Sequence, residues 1–194
     1  MFALPNRFTG GSYTRSAESG FDVCPRETRQ AASVTLAASG RTLEGYAALF
    51  GVETRIKDFT ETILPGAFSA SLTGQDVLAL VDHDQTKVLA RTKSGTLKLT
   101  EDDKGLRFSI ALADTSLARD VLEMVKRGDM GGCSFGFMVV PGGEKWQGKR
   151  RELRAVKLFE ISLVSAWPAY RGTSVQARAK TPALAAALRY LETI

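Results

Sequence analysis

His83 is the only histidine in this 194-residue chain; it follows the apolar pair Leu80-Val81 and lies between Asp82 and Asp84. Farther along, Ser134 stands in Gly131-Gly132-Cys133-Ser134-Phe135-Gly136-Phe137, a hydroxyl framed by glycines and aromatics. A serine hydroxyl attacks poorly until a base takes its proton, and a neutral imidazole does this near pH 7. With one histidine in the chain, any such base is His83. Glycines beside a nucleophile admit a substrate backbone closely and free amides for a developing oxyanion. Cys133 is an alternative nucleophile. Neighbours on a strand point to opposite faces, so only one of the two can address His83, and Ser134 is preferred.

A nucleophile and base need a third group to orient the imidazole. Asp82 and Asp84 are poorly placed, being adjacent to His83 in sequence. Glu160, within Lys157-Leu158-Phe159-Glu160-Ile161-Ser162-Leu163-Val164, is a carboxylate in an otherwise apolar run. A charge there needs a partner or an exposed face, because unpaired burial is costly. The competing reading makes His83 a histidine satisfied by Asp82 or Asp84, the glycines close-packing positions, and Glu160 part of an exposed strand face.

The elements that would hold these groups are mostly strands. Residues 1–31 are rich in Ser, Gly, Thr and Arg and are assigned to a flexible arm. Strands are expected around Ser33–Leu36 and over Thr42–Phe50, with Ser39-Gly40 as the turn between them. A further strand at Phe59–Leu64 is broken by Pro65-Gly66, and Ala67–Thr73 has helical composition. Val77–Val81 is a short buried strand that delivers His83 at its end. Thr96–Thr100 and Leu106–Leu112 alternate on either side of a polar turn and predict a hairpin. Asp114-Thr115-Ser116 can cap a helix whose apolar face carries Leu117, Val121, Met124 and Val125 and which Gly128 ends. Ser134–Val140 and Leu153–Val164 are strands separated by a basic loop around Trp146, and Pro182–Leu191 is a final amphipathic helix. The fold class expected is α+β: a mainly antiparallel β-barrel with helices around it. Its domain would span 32–174, followed by a C-terminal helix or tail over 175–194.

Composition narrows the classes. The net charge is +5, with 26 Lys and Arg against 21 Asp and Glu, and the chain is 44% hydrophobic. These values suit one globular domain with one core. Cys24 and Cys133 have no metal-ligand spacing and one histidine cannot complete a zinc site, so no metal is expected. No apolar run approaches the ~20 residues that span a bilayer, and no secretory leader is apparent. The basic stretch Lys145–Arg154 contains one aromatic, Trp146, which is a thin basis for nucleic-acid binding.

Taken in order, Pro65-Gly66-Ala67-Phe68, His83-Asp84, Arg91-Thr92-Lys93-Ser94-Gly95-Thr96-Leu97, Gly132-Cys133-Ser134-Phe135-Gly136-Phe137, Glu160-Ile161-Ser162-Leu163-Val164 and Pro168-Ala169-Tyr170 form a set. Over about residues 42–173 this set resembles the prohead (procapsid maturation) proteases of tailed phages, which also occur in prophages and gene transfer particles. It departs from them at Ala90, where glycine is expected, and at Cys133, where methionine is usual. The resemblance implies a serine endopeptidase related in fold to the herpesvirus assemblins. The family histidine and serine fall on His83 and Ser134, and its acidic third position falls on Glu160. No cofactor or metal is implied. The substrates implied are the scaffold, the scaffolding segment of the major capsid protein and the protease itself, cut inside the immature shell in the host cytoplasm. By analogy with the herpesvirus enzymes, a homodimer is expected. The non-enzymatic alternative is a capsid-assembly scaffold in which His83 and Ser134 are structural.

Overall fold

The computed structural model describes residues 26–38, 40–165 and 175–179. Most of the arm and the expected helix at Pro182–Leu191 lie outside them. The chain begins with β1 (Glu27–Ala38), β2 (Thr42–Leu49), β3 (Thr54–Ile56) and β4 (Phe59–Ile63), followed by the one-turn helix α1 (Ser69–Leu72). Next come β5 (Leu78–Val81), β6 (Asp84–Arg91), β7 (Leu97–Glu101), β8 (Gly105–Ala111) and helix α2 (Ser116–Arg127). The remaining strands are β9 (Gly132–Val139), β10 (Glu144–Gln147), β11 (Arg150–Leu153), β12 (Val156–Val164) and β13 (Val175–Ala179). β1 opens at Glu27, inside the stretch that composition assigned to the arm.

The strands form three sheets in the orders β13-β1-β9-β12-β5-β6, β10-β11-β4-β3 and β2-β8-β7. The mostly-strand α+β class is therefore as expected, but no closed barrel forms among the described residues. Each sheet ends on an edge strand, and three of the pairings, β1–β13, β11–β4 and β12–β5, are parallel. Closure needs every edge to find a partner with consistent stagger, and period-2 alternation says nothing about that. Among the described residues there are two helices, α1 and α2.

Local chemistry explains the elements that matched. Thr115 is extended and its hydroxyl accepts from the Ala118 amide at 3.2 Å, while Gly128 takes φ +83° and closes α2 onto the Met124 and Val125 carbonyls. Val121 and Val125 on α2 are buried. The β7–β8 hairpin pairs Leu97 with Ile110 and Leu99 with Phe108. One core gathers Leu43, Phe108 and Ile110 from the three-stranded sheet, Ile63 and Leu153 from the four-stranded sheet, and Phe135, Phe137 and Leu158 from the six-stranded sheet. Phe68 meets Phe135 edge-on at 5.5 Å, and Phe135 stacks on Phe137 at 5.2 Å. This cluster anchors β9, the strand carrying Ser134. The hydroxyl of Ser71 clips α1 to β12, donating to the Val156 carbonyl and accepting from the Leu158 amide, both at 2.9 Å.

Candidate active site

β9 lies between β1 and β12, with Ser134 opposite Gln30 on one side and Ser162 on the other. Alternation along β9 sends Cys133, Phe135 and Phe137 into the core and turns Ser134 and Gly136 to the opposite face. Cys133 is fully buried; loss of water pushes its thiol up to about 12, outweighing hydrogen bonds that act the other way. A thiol in that state supplies little thiolate near neutral pH, and its place on the core side turns Cys133 away from the face that carries Glu160, which favours Ser134 over it. The string G-C-S-F-G has the spacing of a nucleophile elbow, but Ser134 sits inside a strand and not at a strand-to-helix turn.

A bulge in β12 brings Glu160 to the Ser134 face. Leu158 pairs with Phe137 and Glu160 with Gly136, so Phe159 is the extra residue between them. Strict alternation from the core residue Leu158 would send Glu160 into the core. The inserted residue reverses the phase and re-aims it, as bulges do. From Glu160 onward, Ile161 and Leu163 face the core with Phe135 and Cys133, while Glu160 and Ser162 line the site. Gly136 makes room for the carboxylate: a Cβ there would lie 2.9 Å from Glu160 Cγ and 3.1 Å from its Oε1. The glycine read as an opening for substrate backbone instead admits the side chain of Glu160.

His83 arrives by a two-residue hairpin. Asp82 and His83 both have positive φ, +48° and +60°, and Val81 pairs with Asp84 across the turn. Both central residues lie in the left-handed region, as a type I′ turn requires. Asp82 locks the turn to the end of β12: its amide donates to the Leu163 carbonyl at 2.9 Å, and its carboxylate accepts from the Ser165 amide at 2.8 Å and the Ser165 hydroxyl. Asp84 is engaged by Thr86 and Lys87. Neither aspartate holds the imidazole. His83 Nδ1 donates to Glu160 Oε1 at 2.6 Å, which in the neutral ring leaves Nε2 as the acceptor. The other Glu160 oxygen accepts from Arg26 Nη2 at 2.6 Å, so this buried carboxylate has a cation as well as the imidazole.

The Ser134 hydroxyl is wholly buried and donates to the Arg29 carbonyl at 2.9 Å. Across β9 the hydroxyl of Ser162, also buried, has no hydrogen-bond partner among the described residues. Arg91, from the motif Arg91-Thr92-Lys93, is paired with Asp76 at the surface. Sequence reasoning missed Arg26 and Arg29 because they fell in the presumed arm. The closely spaced opposite charges of Arg26-Glu27-Thr28-Arg29, just upstream of a strand pattern, are the signal that could have found them.

On the opposite side of β1, the side toward which Phe135 and Phe137 point, is a second ionic cluster. Glu61, 2% exposed, accepts from Arg29 Nε at 2.7 Å and from Arg151 Nη1 at 2.9 Å. Arg151 also reaches Glu27 and Glu144. Burial disfavours the Arg151 charge, but the hydrogen bonds it donates to Glu27 and Glu144 outweigh this and raise its pKa. The presumed basic loop is a hairpin of β10 and β11, and its Arg151 points inward. Trp146 packs edge-on against Phe59 at 5.0 Å.

A family model described as the caudovirus prohead serine protease matches residues 27–186. The chain belongs to the caudovirus prohead serine protease family. Its match begins at the first residue of β1, so the strand against Ser134 is part of the family domain. Among solved structures, the bacteriophage T4 capsid assembly protease, gp21, matches with a TM-score of 0.52 at 8% identity, over 74% of this chain and 98% of that one. At that identity the likeness speaks for the fold. No curated protein matches in sequence. Family membership and this shared fold together support a head-maturation protease role. No helix among the described residues is long and apolar enough to cross a membrane.

Proposed function

We propose that this family member is a serine endopeptidase that cuts the scaffold, or the scaffolding segment of the major capsid protein, and itself during head maturation inside the immature shell. The observation that carries this reading is the His83 Nδ1–Glu160 bond on the face of β9 and β12 that also carries Ser134. Ser134 Oγ adds to the scissile carbonyl carbon as its proton passes to His83 Nε2, and Glu160 supports the imidazolium. The carbon–nitrogen bond breaks and the amine leaves with that proton. Water then adds to the acyl-enzyme carbon, passing a proton to His83, which returns it to Ser134 as the carboxylate product leaves. These residues need no metal or organic cofactor. The kinship with herpesvirus assemblins expected from the family adds a homodimer to the proposal.

Incubating the full chain with its capsid and scaffold proteins, wild type beside Ser134→Ala, tests this by intact mass. Fragments from the wild type and none from the variant support it; equal processing by both overturns it. One observation favours the capsid-assembly scaffold instead: Ser134 is buried and its proton is engaged by Arg29. That reading predicts equal processing and equal assembly.

A further inference from the structure

β1 lies on β9 as an extended peptide would. It runs antiparallel, pairing Glu27 with Phe137, Thr28 with Gly136, Arg29 with Phe135, Gln30 with Ser134 and Ala31 with Cys133. This is the geometry of strand addition to a sheet edge, in which main-chain bonds hold the peptide and alternate side chains enter subsites. The carbonyl that accepts the Ser134 hydroxyl belongs to the Arg29–Gln30 peptide bond. The nucleophile thus contacts a peptide bond of an extended chain lying across it.

The Arg29 side chain occupies a built site. Its guanidinium meets Glu61 through two bonds, Nε to Oε1 at 2.7 Å and Nη2 to Oε2 at 3.0 Å, and lies 5.5 Å from the Phe137 ring centre. Bidentate pairing and an aromatic face are the features that select a guanidinium. Glu27 and Arg29 belong to the bound strand. The groups that stay behind are Glu61, Glu144 and Arg151, two carboxylates with one cation. A basic side chain balances that set, whereas a neutral or acidic one leaves buried negative charge uncompensated. On the other face of the strand Arg26 holds Glu160. The segment therefore engages the hydroxyl and the carboxylate of the site at once.

We propose that the outer edge of β9 is an extended-peptide track, that its subsite formed by Glu61 and the Phe137 ring takes an arginine or lysine immediately before the cut bond, and that residues 26–31 occupy this track in cis. The proposal rests on the serine-endopeptidase reading and adds its substrate class. While β1 is seated, the Ser134 proton is committed to the Arg29 carbonyl and withheld from His83.

The test uses the full chain, with Ser134→Ala as control, on the cognate capsid protein and on synthetic peptides of residues 26–34 carrying Arg, Lys, Gln or Glu at the position of Arg29. Mass spectrometry should show cuts directly after Arg and Lys, with Gln and Glu peptides slower by roughly 10²-fold or more. Glu61→Gln, shown folded by circular dichroism, should narrow that preference to within about threefold. If this variant does not fold, the peptide series on the wild type decides alone. Ser134-dependent cleavage of the capsid protein, with the four peptides uncut, cut elsewhere or cut at equal rates, overturns the track and leaves the protease reading standing. Absence of Ser134-dependent cleavage of either substrate removes both.

Discussion

Gly136 and Glu160 face each other across β9 and β12 so closely that a methyl group on Gly136 would sit 2.9 Å from Glu160 Cγ. The neighbour is a side chain held at both oxygens, by His83 and by Arg26, so it cannot swing aside without losing one of them. Gly136→Ala is therefore expected to cost about 1–3 kcal/mol in chemical denaturation. It should also lower kcat more than KM, because it disturbs the imidazole support and leaves the β9 backbone in place. A KM effect with kcat unchanged would contradict this placement of Glu160.

His83 occupies a left-handed conformation, φ +60°, that costs a residue with a Cβ about 1–2 kcal/mol. Asparagine tolerates it better. His83→Asn should abolish proteolysis yet change stability by less than about 1 kcal/mol, since strain relief offsets the lost hydrogen bond. Thermal unfolding beside an activity assay checks this. Destabilisation by several kcal/mol would mean that His83 is held for packing.

Cys133, with its thiol pushed up to about 12, should resist iodoacetamide at pH 8 in the folded protein and react once unfolded, as peptide mapping would show. Cys133→Ala should keep proteolysis within a few-fold of wild type, whereas Ser134→Ala should lose at least about 10⁴-fold. The reverse pattern would reassign the nucleophile.

The Glu27 carboxyl is held below its ordinary 4.5: burial pushes it up, but hydrogen bonding and attraction from Arg151, then Arg29, outweigh this. A depressed carboxylate stabilises the fold fully above its unfolded value, and that contribution disappears as pH falls through the lower folded value. The stability difference between wild type and Glu27→Gln should be largest at neutral pH and shrink progressively below pH 4.5. A difference that stays constant through the acid limb would show that Glu27 contributes packing only.

Ser162 buries a hydroxyl without a partner among the described residues. Removing such a group relieves its desolvation cost, so Ser162→Ala should raise stability by about 1 kcal/mol in a urea titration. A loss of that size would show that the hydroxyl is satisfied, for example by a water bridging it to Ser134.

The parts of the fold that were legible in the sequence are those whose causes are local. Thr115 and Gly128 bracket α2 by caps a few residues long, and the β7–β8 hairpin declares itself by alternation around a polar turn. Glu160 stood out because a charge interrupts an apolar run, although the bulge at Phe159 that aims it depends on partners in β9. The β5–β6 hairpin was hidden because Asp82-His83 lacks the glycine that usually marks such a turn. The inner half of the site was hidden for a different reason. Arg26, Arg29 and Arg151 look like solvated charges, and only the distant carboxylates Glu160, Glu61 and Glu144 draw them inward. The barrel expected from the strand pattern is not closed among the described residues, because edge pairing is a property of the assembled sheet.

β1 divides its allegiance. Glu27 to Ser33 pair with β9, while Val34 to Ala38 pair with β13. In the proposed peptide track, the stretch over Ser134 lifts away while the rest of the strand stays fastened, as a tethered competitor would. Through so short a tether its effective concentration at the β9 edge is on the order of millimolar. A dilute peptide loses that contest, whereas a protein crowded to comparable density meets it on equal terms. How tightly the surroundings are packed, and not affinity alone, then sets when the edge of β9 changes hands.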